Sequence, residues 1–292
     1  MKDMNAMKDQ KKKPVVITTD STADISRELQ ERFQIRIIPL TVTLGEESYL
    51  DGVGFTRDDI YARYHADGIL PQTAAPGIDA FLDFFGEILQ EGCEIVHLDI
   101  SSELSNICNV ARLAAESLED VHVVDSRMLS SGIALLAIEG AECRDRGMCA
   151  EEIAAHLNTL KSKVSTSFVL ETLEFMWKGG RCKGVTALGA NLLKIRPALE
   201  MQDGKLTVCN KYRGKMPGVY RKYITERLTG KKIRPAHIFL TDSGEIDPAL
   251  LSELEEMIRE LSGCREIHRA DAGATISSHC GPGCLGVLFI EE

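Results

Sequence analysis

The chain has 292 residues, 44% of them hydrophobic and 27% charged, which suffices for one large or two medium-sized α/β domains. Its formal net charge of −10 argues against nucleic-acid partners and anionic membrane surfaces, because both are bound through clustered Lys and Arg side chains. The composition also excludes disordered, collagen-like and repeat proteins, and we expect two domains.

The first thirteen residues are polar and charged and lack the apolar region of a secretory signal. We therefore predict a disordered leader over residues 1–13 and a cytoplasmic protein. Apolar stretches such as Gly132–Ile138 and Leu285–Ile290 are far shorter than the roughly 20 residues of a transmembrane helix, so no membrane segment is expected. Nine scattered cysteines without zinc-type pairs indicate reduced thiols.

The first half of the chain alternates strand and helix patterns. Its strand candidates are Val15–Thr18, Arg36–Leu44, Glu94–Ile100 and Val121–Val124. Its helix candidates are a segment ending at Phe33 with N-caps from the turn Thr19–Asp24, then Thr56–Asp67, Gly77–Gln90, Leu104–Leu118, Ser130–Arg146 and Ala150–Lys161. Such alternation indicates a mostly parallel sheet, which we assign to an N-terminal domain over residues 14–164.

The pattern changes in the second half, where strands outnumber helices. The strand candidates are Ser165–Val169, Pro197–Gln202, Lys205–Arg213, His237–Thr241, Glu266–Asp271 and Leu285–Ile290, and the helix candidates are Leu170–Lys178, Pro217–Leu228 and Pro248–Leu261. Asp203-Gly204 supplies the positive φ values of a tight hairpin turn between two of these strands. These features predict a mixed or antiparallel α/β C-terminal domain over residues 165–292.

Ligands of parallel sheets bind beyond the carboxyl ends of the strands. Three predicted loops there are rich in hydroxyls: Thr19–Thr22, Gln72–Thr73, and Ser101-Ser102 with Ser105. Ser101–Ser105 is expected to open a helix, where hydroxyls and free N–H groups form an anion site. A simple helix cap by Ser102 is the alternative. Thr73 is open to two interpretations as well, as a ligand contact or as a residue that only shapes the turn.

Two basic residues are candidates for binding an anion. His279 precedes the tight turn Gly281-Pro282-Gly283 in a predicted loop after a short strand, where it can donate to a carboxylate or act as an acid or base. Arg213 ends a predicted hairpin strand, and a fixed guanidinium there suits an oxyanion. A structural role for His279 and a solvated basic edge at Arg213 are the alternatives.

Other patterns carry less weight. Lys178-Gly179-Gly180-Arg181 is Gly-rich and basic but lacks the residue order of a nucleotide-binding P-loop. Cys280 and Cys284 lie next to His279, yet no second pair with metal-ligand spacing accompanies them, so neither a metal site nor thiol catalysis is expected. The six other histidines, including His237 and His268, are assigned no role.

Eight short motifs follow one another over nearly the whole chain. They are Asp20–Asp24, Ile38–Leu40, Thr73–Pro76, Ser101-Ser102 with Leu104-Ser105, Val124–Ser126, Lys178–Arg181, Asn191–Pro197, and His279 with Gly281–Gly283. In this order they resemble the DegV family. The resemblance implies a two-domain α/β protein that holds one long-chain fatty acid in a slot between its domains, with the acyl chain buried and the carboxylate near the surface.

The resemblance also implies a partner and site residues. Similar proteins are binding subunits of bacterial fatty acid kinases: they present the carboxylate to a separate ATP-binding subunit for acyl phosphate formation and have no catalytic centre or cofactor of their own. The implied head-group ligands are Thr73, Ser101, Ser102, Arg213 and His279. The implied supporting residues are Asp20, Ser21, Thr22 and Ser105.

The chain departs from the family pattern in two segments. Thr73-Ala74-Ala75-Pro76-Gly77 stands where Thr-Ser-Gln-Pro-Ser is usual, and Asn106-Ile107-Cys108 stands where Gly-Thr-Tyr is usual. Two alternatives to a carrier stay open. An enzyme or phosphocarrier that uses His279 would need an acid, base or phosphate partner within hydrogen-bond reach. A structural or regulatory protein would carry no ligand at all.

Overall fold

The structure is a computed structural model that describes residues 12–181 and 195–292. Residues 1–11 of the predicted leader and residues 191–194 of the Asn191–Pro197 motif lie outside the described residues. Within the described ranges, no helix has both the length and the apolar character that a membrane span requires. The eight cysteines in these ranges are all free thiols.

The described residues form thirteen strands and ten α-helices. The strands are β1 (Val15–Asp20), β2 (Ile35–Ile38), β3 (Thr41–Leu44), β4 (Glu47–Leu50), β5 (Gln72–Ala74), β6 (Glu94–Asp99), β7 (Val121–Asp125), β8 (Val164–Val169), β9 (Arg196–Gln202), β10 (Lys205–Tyr212), β11 (Ile233–Asp242), β12 (Glu266–Asp271) and β13 (Leu285–Glu291). The helices are α1 (Arg27–Phe33), α2 (Arg57–Asp67), α3 (Ile78–Gln90), α4 (Ile107–Ala115), α5 (Ser131–Asp145), α6 (Ala150–Leu160), α7 (Glu174–Lys178), α8 (Met216–Leu228), α9 (Pro248–Ser262) and α10 (Ala274–Cys280).

These strands form three sheets. The first is parallel, with the order β2-β1-β6-β7, as the alternating pattern predicts. The second is mixed, with the order β10-β9-β8-β13-β11-β12, and in it only β11 and β12 run parallel. A small antiparallel sheet, β4-β3-β5, completes the fold. The α/β fold class with one parallel and one mixed sheet is therefore confirmed.

Helix α5 lies between the two large sheets. It contacts β1 and β6 of the parallel sheet and β8, β11 and β13 of the mixed sheet. Its sequence is apolar around most of its circumference, and from Ser131 to Ala141 every residue is buried. A helix of this composition is stable only when it is covered on all sides, which explains its central position.

The sheet membership of the strands changes at Val164. Strands up to β7 belong to the parallel and the small sheet, and strands from β8 onward belong to the mixed sheet. One hydrophobic core nevertheless continues across this point, with Val15 and Ile290 among its members. The division into domains 14–164 and 165–292 therefore stays a prediction.

Several predicted elements were wrong in extent. The single strand expected over Arg36–Leu44 is two strands in different sheets, because Pro39 has no N–H for a ladder and the chain turns there. The expected loop Gln72–Thr73 is strand β5, and the helix expected over Leu170–Lys178 begins only at Glu174. Strand β4 was not predicted.

Helix starts were also misplaced. The segment Thr19–Asp24 does not cap α1; it contains a short 3₁₀ helix with Asp20 as its N-cap, while Ser26 caps α1. The helix expected from Leu104 begins at Ile107, so Ser101–Ser105 forms a turn before it. The hairpin, in contrast, was predicted correctly.

Candidate functional site

A cavity lies between the two halves of the chain, and together with the solvent at its open side it spans about 870 Å³. Its apolar wall comes from both large sheets and the segments next to them: Leu40, Ile100, Leu104, Leu129, Phe168, Met176, Leu206, Ile276 and Leu288. Leu40 and Ile100 follow the carboxyl ends of β2 and β6, the edge at which parallel sheets bind ligands.

Thr73 and His279 meet in the wall of this cavity. The Thr73 Oγ1 atom on β5 lies 2.9 Å from the His279 Nε2 atom. His279 was expected in a loop, but it lies in the last turn of α10, which ends at Gly281 with φ 72°. Burial and the charge of Arg181 lower the pKa of His279 to about 4. The imidazole is therefore neutral at pH 7.

A glycine turn brings Arg181 to the same wall. A Cβ atom at Gly179 would lie 2.5 Å from the His279 Nδ1 atom, so only glycine permits this approach. The Arg181 guanidinium donates to the Gly179 carbonyl at 2.8 Å and lines the cavity while remaining exposed. Sequence reasoning missed this role: Lys178–Arg181 was compared with nucleotide-binding loops and counted among the family motifs, but Arg181 was assigned no part in the site.

Most other polar groups of the wall are already engaged within the protein. Thr22 donates to Asp20 and Ser130 to Asp24, and the Ser243 hydroxyl donates to the Gly281 carbonyl at 2.6 Å. These groups hold the wall together.

The hydroxyls of Thr275 and Ser105 in the wall have no acceptor for their hydrogen among the described residues. Thr275 Oγ1 is buried and has no hydrogen-bond partner among the residues that the structure describes. It lies four residues before His279 on α10, so both side chains share one face of the helix. Ser105 accepts from the Ile107 N–H at 3.3 Å and has no acceptor for its own hydroxyl hydrogen in the described ranges. No motif in the sequence singles out Thr275.

The hydroxyls of Ser101 and Ser102 are engaged within the protein. The Ser101 hydroxyl donates to the Gly204 carbonyl of the β9–β10 hairpin at 2.7 Å, and the Ser102 hydroxyl donates to Asp125 at 2.6 Å. Neither lines the cavity. Ser102 does not cap a helix, because α4 begins five residues later, at Ile107. Carboxylate binding by Ser101 and Ser102 stays a prediction.

Arg213 does not reach the cavity either. It follows β10 at the end away from the hairpin turn, its side chain is exposed, and it is not part of the described wall. This position agrees with the alternative of a solvated basic edge.

Asp20 and Ser21 support the loops under the cavity. The buried Asp20 carboxylate accepts from the N–H groups of Thr22 and Ile100 at 2.7 and 2.8 Å, which joins the ends of β1 and β6. Burial and the charge of Asp99 raise the pKa of Asp20 to about 7. Ser21 accepts from the Leu40 N–H at 3.1 Å, and thereby fixes the loop after β2.

Asp51 orients the helix that carries His279. Its carboxylate accepts from the N–H groups of Ala274 and Thr275 at 2.8 and 3.3 Å and from the Ser21 hydroxyl at 2.9 Å. Gly273 at the N-cap of α10 has no side chain for this purpose. A residue after β4 therefore caps a helix more than 220 positions away. Nothing in the local sequence of either segment predicts this contact.

The cavity wall offers poor groups for metal or thiol chemistry. Among residues 12–181 and 195–292, the clusters with metal-ligand spacing lie elsewhere in the fold. The neighbouring Cys280 thiol and burial raise the pKa of Cys284 well above its usual range, so this thiol stays protonated. A neutral thiol is a weak nucleophile.

Comparison with known proteins gives one consistent family. The model of the DegV family of uncharacterised proteins matches residues 14–292. A DegV domain-containing protein of Clostridium perfringens is 29% identical over 287 residues, which cover 95% of this chain and 99% of that protein.

Two solved structures resemble the whole fold. The first belongs to a fatty-acid-binding DegV family protein of Thermus thermophilus, with a TM-score of 0.85, 28% identity, and coverage of 96% of this chain and 100% of that chain. The second is a stearic acid-binding protein of Eubacterium ventriosum, with a TM-score of 0.80, 25% identity, and coverage of 94% and 97%. Both matches extend over the two halves of the chain that line the cavity.

Proposed function

The chain belongs to the DegV family, and from that premise we propose that it binds one long-chain fatty acid in the cavity. The acyl chain lies between the two large sheets, and the carboxylate lies near Thr73 and His279. The observation that carries this proposal is the composition of the wall: apolar side chains from both halves of the chain surround a space in which few hydroxyls remain free to donate. Fatty acid binding by similar proteins of known structure supports it.

The acyl chain supplies most of the affinity. Each methylene removed from water contributes roughly 0.8 kcal/mol, so about ten buried methylenes contribute about 8 kcal/mol before the cost of ordering the ligand. The polar groups then determine which end of the ligand enters first, because a buried carboxylate needs hydrogen bonds in place of its lost water.

The neutral state of His279 favours Thr73 as the group that contacts the carboxylate. If the Nε2–H of His279 donates to Thr73 Oγ1, the Thr73 hydroxyl is free to donate its own hydrogen to a ligand oxygen. The Nδ1 atom against Gly179 then carries no hydrogen, which suits its lack of a hydrogen-bond partner in the described structure. We assign Thr73 the direct contact and His279 the orientation of that hydroxyl, while Arg181 supplies positive charge.

We propose further that the carboxylate is presented to a separate kinase. One carboxylate oxygen attacks the γ-phosphorus of ATP bound to the partner, ADP leaves, and an acyl phosphate forms, with no catalytic group from this chain. The exposure of Arg181 beside the head group supports a carboxylate that a partner can reach. ATP dependence is consistent with a cytoplasmic protein.

An enzyme that uses His279 as a base is less well supported. A pKa of about 4 makes the imidazole a weak proton acceptor at pH 7, far from the value that suits general base catalysis at that pH. Thr73, its partner, is also the residue that the carrier proposal requires.

Native mass spectrometry of protein purified without denaturation tests the proposal. One fatty acid per chain is expected, and organic extraction identifies it. Thr73→Val removes the hydroxyl and should weaken binding of added stearate about tenfold, which corresponds to about 1.4 kcal/mol.

Thr43→Val is the matched control, because Thr43 lies on the neighbouring strand β3 and its exposed hydroxyl bonds only to Ser48 among the described residues. A chain that carries no lipid and binds no added stearate would sink the proposal. Acyl phosphate formation is measured separately, by trapping with hydroxylamine after addition of a kinase and ATP.

A further inference from the structure

Two histidines on neighbouring strands lie side by side outside the cavity. The His237 Nδ1 atom on β11 is 3.0 Å from the His268 Nε2 atom on β12. The Glu266 Oε2 atom lies 3.9 Å from the first nitrogen and 3.8 Å from the second. The histidine side chains are 11% and 10% exposed and Glu266 is 38% exposed, so an ion from solvent can reach the three atoms.

A carboxylate on α5 sets the hydrogen position of His237. Glu142 Oε1 lies 3.1 Å from His237 Nε2 and accepts its hydrogen. The lone pair of His237 then lies on Nδ1, directed toward His268 and Glu266. A carboxylate that orients a histidine through its other nitrogen is the usual companion of a metal-binding histidine. The sequence assigned these histidines no role, because their contact follows from strand pairing.

We propose that His237 Nδ1, His268 Nε2 and a Glu266 oxygen bind a divalent transition-metal ion of the zinc class, with water as the fourth ligand. Tetrahedral zinc with bonds of about 2.0–2.1 Å holds its ligand atoms about 3.3 Å apart. The two nitrogens are already close to that spacing, and Glu266 needs to approach by only about 0.5 Å. Binding displaces the hydrogen of His268 Nε2 to the other ring nitrogen or to solvent.

A second cluster of similar composition is less suited to a metal. Glu139, Cys143 and His156 also lie within ligand distance of one another. The Glu139 carboxylate is already bound by two guanidinium groups, those of Arg146 at 3.3 Å and Arg234 at 2.8 Å. Their positive charges repel a cation. At the His237 site the described carboxylates are Glu142 and Glu266, and Glu266 is bound by the guanidinium of a third residue.

That guanidinium belongs to Arg32, which binds both oxygens of Glu266 at 2.6 and 2.9 Å. Each oxygen keeps a lone pair for a metal. Arg32 is 48% exposed and can retain one of its two bonds while the carboxylate turns. The metal would then join β11 and β12 to α5 and α1, so we expect it to stabilise the fold without changing fatty acid binding.

Cobalt is the probe for this site, because tetrahedral Co²⁺ has visible absorption bands that report imidazole ligation. The full chain without a histidine tag is treated with EDTA and titrated with Co²⁺ at pH 7.5. One equivalent should bind, and Zn²⁺ should displace it. His237→Ala and His268→Ala should each weaken binding at least 100-fold, and Glu142→Gln should weaken it 10–100-fold.

His156→Ala is the matched control, since it removes a histidine from the second cluster and should leave the cobalt spectrum unchanged. Stearate binding by the same samples shows that each variant is folded. If a histidine variant does not fold, Glu142→Gln and Glu266→Gln decide the question. A wild-type chain without cobalt bands, or equal loss in His156→Ala and His237→Ala, would overturn the proposal.

Discussion

At the scale of single residues, the candidate site depends on one contact between distant parts of the chain. Thr73 and His279 are 206 positions apart, yet their side chains lie 2.9 Å from each other. Gly179 makes room for the imidazole, and Arg181 from the same turn contributes to its lowered pKa. The resemblance implied both Thr73 and His279, but their mutual hydrogen bond is a property of the fold alone.

His279 should make the stability of the lipid-free protein depend on pH. Its pKa is about 4 in the folded state and about 6.5 when unfolded, so below pH 6.5 the unfolded chain takes up a proton that the folded chain does not. The stabilising contribution is complete above pH 6.5 and is lost as the pH falls toward 4. The full loss is on the order of 3 kcal/mol.

Urea unfolding of the wild type and His279→Gln at pH 7 and pH 4.5 measures this effect. The stability of the wild type relative to the variant should fall by about 2 kcal/mol between these pH values. The comparison cancels the contribution of Asp20 to the pH dependence, because its raised pKa acts in the opposite direction and is present in both proteins. Equal changes in the two proteins would contradict the assigned pKa.

The same residues show where sequence reasoning stops. Ser101 and Ser102 have the expected composition for a head-group site, but the direction of a hydroxyl depends on what surrounds it. Gly204, 103 positions away, takes the Ser101 hydrogen bond, and Asp125 takes that of Ser102. Arg213 was assigned to the site from its position at the end of a strand and from the family resemblance, and nothing in the sequence shows which end of that strand faces the cavity.

At the scale of elements, the sequence predicts correctly those elements that depend on neighbouring residues alone. The β9–β10 hairpin is an example, because Asp203 and Gly204 adopt φ values of 50° and 79° at the turn that their sequence favours. The predicted ends of helices and strands were wrong where a long-range contact determines them. Strand β5 pairs with β3, for example through Val42 and Thr73, which are 31 positions apart, and α10 is capped by Asp51.

Gly132→Ala should destabilise the packing of α5 on β8. A Cβ atom at this position would lie 2.3 Å from Thr166 Oγ1 and 3.2 Å from Met128 Cβ. Overpacking of this kind costs about 1–3 kcal/mol, which exceeds the gain of up to about 1 kcal/mol from replacing a helical glycine. Gly86→Ala on α3 has open space at its Cβ position and should be neutral or stabilising. Chemical denaturation measures the free energy of unfolding of both variants. If Gly132→Ala leaves that free energy unchanged, the close approach of α5 to Thr166 is refuted.

Asp51→Ala should weaken both the fold and ligand binding. It removes the acceptor of the first N–H groups of α10, at a cost of about 1–2 kcal/mol, and it frees the helix that carries His279. Asp59→Ala is the control, because Asp59 accepts from the Thr56 N–H at the start of α2, outside the cavity wall. It should lower stability by a similar amount with unchanged stearate affinity. Equal affinities in both variants would show that Asp51 does not orient the site.

At the scale of the whole molecule, the cavity is a space between the two large sheets, and the proposed ligand would fill it. The alternation of strands and helices predicted the parallel sheet, and the change of pattern near residue 165 predicted the mixed sheet. Periodicity cannot specify how two sheets face each other, because it reports only which side of each element is apolar. The cavity therefore depends on how α5 packs between the two large sheets and on how α10 packs against β3 and β5 of the small sheet.

If a fatty acid fills the cavity, it should stabilise both large sheets together. A ligand that binds only the folded state adds RT ln(1 + [L]/Kd) to its stability, and Kd falls as methylenes are added. Stearate should therefore raise the Tm of delipidated protein more than decanoate does at equal free concentration. Hydrogen exchange should slow in β6 of the parallel sheet and in β13 of the mixed sheet, since Ile100 and Leu288 both line the cavity. Protection confined to one sheet would mean that the acyl chain does not lie between them, even if the protein binds lipid.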